Sequence, residues 1–201
     1  GYLFTTMLDG QVAVVLGGVY GNYVLAGDGS LMFTGGNGLY SLAQGEVGTE
    51  TITFAVTDGQ VSTTETLTMH FTGQNTAPVA VADANYNASG VVEAGTGTAG
   101  TPTAAGNVLT NDRDTDHGSQ LHVAISGTGN HVGTYGTLVI EGDGSYAYTL
   151  NNSAANVQAL AAGQFVNDIF WYQAADEFGR VSNAAQLWFE ITGSNDAPVL
   201  S

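Results

Sequence analysis

An internal repeat is the feature that most constrains how this chain folds. The tetrapeptide Gly-Asp-Gly-Ser occurs twice, and each copy follows a Tyr-Gly pair and a short apolar run. The copies also close alike, with Thr-Gly-Gln-Asn-Thr-Ala-Pro-Val in one and Thr-Gly-Ser-Asn-Asp-Ala-Pro-Val in the other. The offset between matched residues grows from 115 (Asp28 to Asp143) to 120 (Leu67 to Leu187), as loop insertions between matched strands would produce. The chain is therefore predicted to be a tandem array.

The boundary between the copies falls at Thr76-Ala77-Pro78, a polar, proline-bearing stretch typical of a linker between domains. We predict a first domain over residues 1–78 and a second, complete domain over 79–201 that ends in the linker to a next repeat. The second copy has a front section, residues 79–130, that the first copy mostly lacks. Either the first unit is shorter, or its opening strands lie upstream of residue 1.

Short runs of β-branched and aromatic residues, bounded by Gly, Asn and Asp, are typical of strands. Their two-faced alternation predicts an all-β chain of two tandem antiparallel β-sandwich domains. The Gly-Asp-Gly-Ser tetrapeptides are predicted hairpin turns with φ > 0. One short helix is expected in the second domain, over Ser153–Ala162, where Val157 and Leu160 lie three apart behind a capping Asn152 or Ser153. The predicted strands are Gln11–Val15, Thr51–Val56, Thr66–Thr72, Leu121–Ile125, Thr137–Ile140, Phe170–Gln173 and Gln186–Thr192.

Alternation along four of these strands also predicts which side chains point into the core. The two copies give matched sets of inward positions on corresponding strands. The predicted inward residues are Ile52, Phe54, Val56, Leu67, Met69 and Phe71 in the first copy, and Phe170, Tyr172, Ala174, Leu187, Phe189 and Ile191 in the second.

The charge balance excludes several classes of function. The chain has 18 Asp and Glu but only 2 Lys and Arg, which gives a formal net charge of −16. Nucleic-acid binding and attraction to an anionic membrane surface both require a basic patch, and none can be assembled. No apolar stretch is long enough to predict membrane insertion, and the absence of cysteine excludes disulfides. A compact chain this acidic repels itself, and a divalent cation would relieve that repulsion.

The densest acidic cluster places Asp112, Asp114 and Asp116 at alternate positions of one loop. Three bare carboxylates so close together repel one another, whereas a hard cation such as Ca²⁺ prefers such an oxygen-rich loop. Asp83 and Asp176, with Glu93, are scattered carboxylates that could complete the shell. The spacing is not that of an EF-hand loop, and the alternative interpretation is a solvated acidic loop.

The second copy resembles a known family. The motifs are Ala-Pro-Val-Ala-Val-Ala-Asp-Ala (77–84), Val-Val-Glu (91–93), Val-Leu-Thr-Asn-Asp-Arg-Asp-Thr-Asp-His-Gly (108–118), Gly-Asp-Gly-Ser-Tyr-Ala-Tyr (142–148) and Gly-Ser-Asn-Asp-Ala-Pro (193–198). In this order they resemble the VCBS and cadherin-like tandem repeats of large bacterial RTX-type surface adhesins. The resemblance covers nearly all of the second copy, and the first copy from about Tyr20 onward.

The resemblance implies β-sandwich repeats that Ca²⁺ stiffens, in a surface protein exported by type I secretion to the outside of a bacterial cell. The implied partners are neighbouring repeats of the same chain, and the implied role is surface attachment or biofilm formation. In the first linker Thr76 stands where the second linker has Asp196, so the first linker departs from the pattern. By position, the resemblance assigns Asp83, Glu93, Asp112, Asp114 and Asp116 as Ca²⁺ ligands, and Asn75, Asn195 and Asp196 as linker ligands.

The sequence gives no support for an enzyme, and we expect none. The four histidines follow no zinc-ligand spacing, and no Gly-x-Ser-x-Gly nucleophile motif is present. Two classes of function remain. One is a calcium-stiffened extender that holds a binding head away from the cell. The other is an adhesive module that itself binds a cell-surface glycan or a protein.

Two tryptophans bear on the choice between these classes. Trp171 lies between inward-facing Phe170 and Tyr172, and Trp188 lies between two inward-facing apolar residues, so alternation points both indoles away from the core. A hairpin would bring the two within reach of each other, with Ile169 beside them. Grouped exposed aromatic residues often mark a contact surface. The alternative is that another segment, such as the predicted helix, covers them.

Overall fold

The computed structural model describes residues 3–8, 11–86 and 90–196. The chain forms two compact units, each of which draws on two segments of the sequence. The first unit consists of residues 1–76 with 115–119, and the second unit consists of residues 77–114 with 120–201.

The first unit contains a four-stranded antiparallel sheet and a separate long hairpin. The sheet has the strand order β1-β2-β3-β4, and the hairpin pairs β5 with β6. Tyr23 is fully buried, and Phe33 packs between the rings of Tyr23 and Phe71 with ring centroids 5.0 Å apart in both pairs. The elements are β1 (Leu3–Leu8), β2 (Gln11–Gly17), β3 (Gly21–Ala26), β4 (Leu31–Gly35), the short helix α1 (Asn37–Tyr40), β5 (Val47–Thr57) and β6 (Ser62–Thr72).

The second unit contains two main sheets that enclose one hydrophobic core. One sheet has the order β11-β12-β13-β9; in the other, β16 pairs with β14 on one side and with β7 and β8 on the other. The elements are β7 (Asp83–Asn85), β8 (Val91–Val92), β9 (Thr103–Asn107), β10 (His122–Val123), β11 (Gly129–Val132), β12 (Gly136–Ile140), β13 (Ser145–Leu150), β14 (Phe165–Tyr172), β15 (Ala174–Ala175) and β16 (Ala185–Thr192).

The predicted fold class is confirmed. The chain is nearly all β, and its main pairings are antiparallel, as a cadherin-like β-sandwich requires. Both Gly-Asp-Gly-Ser segments connect adjacent strands, with Gly29 at φ 85° and Gly144 at φ 84°. A β-carbon is strained in that left-handed conformation, so each turn needs its second glycine.

The helix predicted over Ser153–Ala162 is wrong, because this segment forms consecutive turns instead. The main-chain N–H of Val157 donates to Ala154 O over 3.0 Å, and that of Leu160 donates to Val157 O over 2.9 Å. Such i to i−3 bonds place two side chains three apart on the same side, and both Val157 and Leu160 are buried in the core. The spacing of Val157 and Leu160 therefore indicated correctly that both side chains are buried, but it did not indicate a helix. The strand predicted over Leu121–Ile125 is also shorter, since only His122–Val123 pairs and a 3₁₀ turn follows over Ile125–Gly127.

The six predicted inward residues of the second copy are all buried, but of their counterparts in the first copy only Ile52 is buried, and two are exposed. Val56 is 49% exposed and Leu67 is 37% exposed, whereas the matched Ala174 and Leu187 are fully buried. In the second unit β7 and β8 lie along the outer edge of β16, and β9 lies along that of β13. Within the described part of the chain, no strand takes these positions beside β6 and β4. An apolar cavity of about 390 Å³ lies between the four-stranded sheet and the hairpin, lined in part by Leu31, Val56 and Leu67.

This difference in burial predicts that matched core truncations lower the free energy of unfolding by unequal amounts in the two units. Leu187→Ala should lower the free energy of unfolding of the second unit by about 2–5 kcal/mol, because it leaves a cavity in a closed core. Leu67→Ala should cost the first unit less than about 1 kcal/mol, because its side chain already contacts water. Urea unfolding, monitored by hydrogen exchange of amides in β16 and β6, measures the loss of stability in each unit separately. Equal costs would show that the first core is as closed as the second.

Candidate functional site

Two of the predicted Ca²⁺ ligands lie beside one tyrosine hydroxyl in the second unit. Asp83 begins β7, Asp112 follows the turn after β9, and Tyr172 ends β14. The Tyr172 hydroxyl lies 2.9 Å from Asp83 Oδ2 and 3.1 Å from Asp112 Oδ1. The main-chain carbonyl oxygens of Val81 and Val108 are each 2.9 Å from the same hydroxyl. Four acceptor oxygens thus surround a group that carries a single proton.

Burial makes this collection of oxygens unfavourable as bare anions. Desolvation raises the pKa of Asp83 to about 6, and the nearby Asp112 carboxylate adds to the rise. Burial also raises the pKa of Asp112, and burial together with both carboxylates raises the pKa of Tyr172. Two further buried oxygens, Asp112 Oδ2 and Asn111 Oδ1, have no hydrogen-bond partner. Acceptors therefore outnumber donors in this pocket.

These oxygens match the ligands that a hard divalent cation prefers. Ca²⁺ takes about six to eight oxygens from carboxylates, amide carbonyls and main-chain carbonyls on flexible segments. Asp83, Asp112 and Asn111 supply side-chain oxygens, and Val81 and Val108 supply main-chain ones. The residues present therefore fit Ca²⁺.

The raised pKa of Asp83 gives the second unit a pH-dependent stability that can be measured in chelator. The folded state holds this proton more tightly than the unfolded chain does. The stabilisation is therefore fully present below the unfolded pKa of 3.8 and is lost as the pH rises through about 6. The melting temperature should fall between about pH 4 and pH 7, and Asp83→Asn should remove part of that fall. Calorimetric scans across this range test it, and identical pH profiles for both proteins would contradict it.

The other predicted ligands of the second unit have separate surroundings. Glu93 is fully buried, and its carboxylate accepts hydrogen bonds from Gln158 Nε2 over 3.1 Å and from the main-chain N–H of Ser194 over 3.0 Å. Asp176 is buried and accepts the main-chain N–H groups two and four residues further on, 2.9 Å away in each case. Asp114 and Asp196 are half-buried, and Asn195 is exposed.

In the first unit Asp116 and Asn75 are both buried. Thr76 donates to the Asp116 carboxylate from its main-chain N–H over 2.9 Å and from its hydroxyl over 2.8 Å. Over residues 3–8, 11–86 and 90–196, no three His, Cys, Asp or Glu side chains form a group that could hold a metal ion. A cation beside Asp83 and Asp112 would therefore depend on neutral oxygens for the rest of its shell.

The sequence did not reveal that in each unit one carboxylate accepts hydrogen bonds from the main chain of a loop; this carboxylate is buried in the second unit and half-buried in the first. In the second unit Asp168 is buried, and the main-chain N–H groups of Thr134, Tyr135 and Gly136 donate to it over 2.7, 3.0 and 3.0 Å. The Tyr148 hydroxyl donates to the same carboxylate over 2.7 Å. Four donors satisfy this anion without a metal.

The first unit has the same arrangement around Glu50. The main-chain N–H groups of Val19 and Tyr20 donate to Glu50 over 2.6 and 3.4 Å, and the Tyr23 hydroxyl donates over 2.6 Å. The signal in the sequence is Gly-x-Tyr-Gly, at 18–21 and 133–136, together with an acid at the matched strand position. The first glycine of this motif allows the loop to lie close to the carboxylate, since a β-carbon on Gly133 would be 2.6 Å from Asp168 Oδ2.

The four hydrogen bonds to the Asp168 carboxylate should make one of the largest single contributions to the stability of the second unit. Asp168→Asn replaces an acceptor with an N–H₂ group that faces other donors, so we expect a loss of about 3 kcal/mol in the free energy of unfolding. The control is Asp143→Asn, at an exposed turn where the carboxylate accepts hydrogen bonds from the main-chain N–H and the hydroxyl of Ser145. Urea denaturation of both variants measures the difference. If Asp168→Asn lowers the free energy of unfolding no more than Asp143→Asn does, the hydrogen bonds to Asp168 do not make the expected contribution.

The three residues of the predicted contact surface share one face of the second unit. Trp171 is 58% exposed, Ile169 is 49% exposed and Trp188 is 43% exposed. Ile169 stands opposite Trp188 in the antiparallel pair of β14 and β16. Both tryptophans therefore point away from the core, as alternation predicted, and no described segment covers them.

The fold and these surroundings define a class, an antiparallel β-sandwich repeat of the cadherin-like type. A family model described as a bacterial cadherin-like domain matches residues 75–193, more than half of the chain, and the chain belongs to this family. The cadherin-like part of the resemblance is thus confirmed. This fold type is generally non-catalytic. A search of curated proteins found no match. In the described ranges, no helix has the length and hydropathy needed to cross a membrane.

Proposed function

We propose that the chain is a calcium-stiffened extender, a structural repeat of a large secreted bacterial adhesin of the VCBS and RTX type. It supports attachment of the cell to surfaces or biofilm formation, with neighbouring repeats of the same chain as its partners. The observation that carries this proposal is the pocket of excess oxygens around Tyr172, in a chain that belongs to the bacterial cadherin-like family.

In this proposal Asp83, Asp112 and Asn111 hold Ca²⁺ with the carbonyl oxygens of Val81 and Val108. These ligands come from the segments before β7 and after β9, which are far apart in sequence. The bound ion supplies the positive charge that these segments lack. By joining them, the site ties the front section of the second unit to the end of β14, where Tyr172 lies.

Further ligand assignments rest on the resemblance. Asp114 and Asp116 extend the acidic loop after Asp112, and Glu93 with Asn195 and Asp196 lies at the end of the second unit that precedes a next repeat. The main-chain oxygen of Asn195 accepts the N–H of Thr96 over 2.6 Å, which keeps this linker against the body of the second unit. A linker held in this way favours a rod over a flexible string.

The net charge of −16 gives the proposal a physical basis for secretion. Without a divalent cation the carboxylates oppose the compact state, which keeps the chain loosely folded in a cytosol poor in calcium. Outside the cell, extracellular modules bind Ca²⁺ at about 10⁻⁴–10⁻³ M, and binding to the folded state alone stabilises it. Type I export followed by ordering at the cell surface fits this sequence of events.

Calcium should raise the stability of the second unit through the Tyr172 pocket. At about 10 mM Ca²⁺ the gain in the free energy of unfolding should be about 1.4–2.7 kcal/mol for the affinities given above. Asp112→Asn should remove the gain, because it withdraws one of two charged ligands at nearly constant volume. Thermal unfolding in Ca²⁺, Mg²⁺ and chelator, with calorimetric titration, measures both.

The matched control is Asp143→Asn, which removes a carboxylate from a turn outside the pocket. It should keep the full response to calcium. A wild-type melting temperature that is the same in calcium and in chelator would refute the calcium site, and an unchanged response in Asp112→Asn would place the ion elsewhere.

A further inference from the structure

The outward side of β14 and β16 carries a row of aromatic and amide side chains. Ile169 faces Trp188 across the pair, Trp171 faces Gln186, and Asn167 faces Glu190. On the far side of β16, Ala84 of β7 pairs with Trp188, and Tyr86 beyond it is 56% exposed. We call the residues Asn167, Ile169, Trp171, Gln186, Trp188, Glu190 and Tyr86 the aromatic face.

The fold does not require aromatic residues at these positions, because the first unit builds the matched hairpin without them. In β5 and β6, Thr51 faces Thr68, and their hydroxyls lie 3.2 Å apart. Thr53 faces Thr66 in the position matched to Trp171 and Gln186. Threonine pairs are a normal outward solution for an antiparallel sheet. The aromatic side chains of the second unit are therefore not needed to form this hairpin.

The aromatic face is held in place before any ligand arrives. The Trp188 Nε1–H donates to Gln186 Oε1 over 2.7 Å, which fixes the rotation of the indole ring. Beside this ring lies a cavity of about 240 Å³, lined by Ala84, Asn85, Tyr86, Asn167, Trp188 and Glu190. A fixed ring next to a cavity with polar edges loses little conformational entropy on binding.

The chemistry of this surface selects the class of ligand. Its rings offer flat apolar surfaces, and amide and carboxylate groups stand at their edges, so it suits a molecule with C–H faces and hydroxyl edges. The only cations of the chain, Arg113 and Arg180, lie outside β7, β14 and β16, which disfavours an anionic ligand.

We propose that the aromatic face binds a neutral glycan, whose pyranose rings stack on Trp171 and Trp188 while Asn167, Gln186 and Glu190 bond its hydroxyls. This site goes beyond the proposed structural role, since it gives the repeat a ligand of its own. Because it uses none of the residues of the calcium pocket, glycan binding and calcium binding can fail separately.

The test uses the full chain and a panel of neutral oligosaccharides made of glucose, galactose, mannose or N-acetylglucosamine units, each at millimolar concentration. Calorimetric titration and tryptophan fluorescence should detect at least one ligand. Trp171→Thr and Trp188→Thr introduce the residues that the first unit has at these positions. Each should weaken binding by about tenfold or more and leave the melting temperature unchanged.

The matched control is Ile125→Thr, which replaces an 89% exposed apolar residue outside the aromatic face and should bind as the wild type does. Binding that survives both tryptophan substitutions would overturn the proposal, and so would a panel without a ligand. Sedimentation of the wild type as a dimer, converted to a monomer by Trp188→Thr, would also overturn it by assigning the face to a second copy.

Discussion

Each sandwich depends on a carboxylate that accepts hydrogen bonds from main-chain N–H groups of a loop in the opposite sheet. In the second unit Asp168 belongs to β14, whereas its donors belong to the β11–β12 loop and, at Tyr148, to β13. A carboxylate withdrawn from water is stable only when its oxygens receive donors in good geometry. The anion and the loop therefore need each other, and together they fix how the two sheets face one another. Glu50 does the same for the first unit with three donors.

The number of donors around each buried carboxylate separates structural acids from candidate metal ligands. Asp168 has four donors, which satisfy its carboxylate without a cation. Asp83 and Asp112 share the single proton of Tyr172 with two carbonyl oxygens. Asp112 Oδ1 also accepts the main-chain N–H of Val81 over 2.8 Å, but Asp112 Oδ2 has no hydrogen-bond partner. The same residue type thus has two roles in one unit. The pocket in which acceptors outnumber donors is the one where a divalent cation would be most stabilising.

Much of the fold follows from the sequence, because the repeat and the alternation of side chains are local patterns. They correctly predicted the sandwich, the positive φ of Gly29 and Gly144, and the outward tryptophans. The helix over Ser153–Ala162 failed because spacing by three cannot distinguish a helix from turns that bury the same residues. The distinct roles of the acids could not be predicted, since they depend on which distant N–H groups reach each carboxylate. Gly-x-Tyr-Gly was visible in both copies, but its partner lies more than 30 residues away.

Diffraction from crystals grown in Ca²⁺, with anomalous scattering used to locate the ion, tests the calcium pocket most directly. We expect a calcium peak about 2.3–2.6 Å from oxygens of both Asp83 and Asp112, with the Asn111 amide oxygen in the same shell. A map without a peak there, in which the Tyr172 hydroxyl still bridges the two carboxylates, would contradict the calcium site.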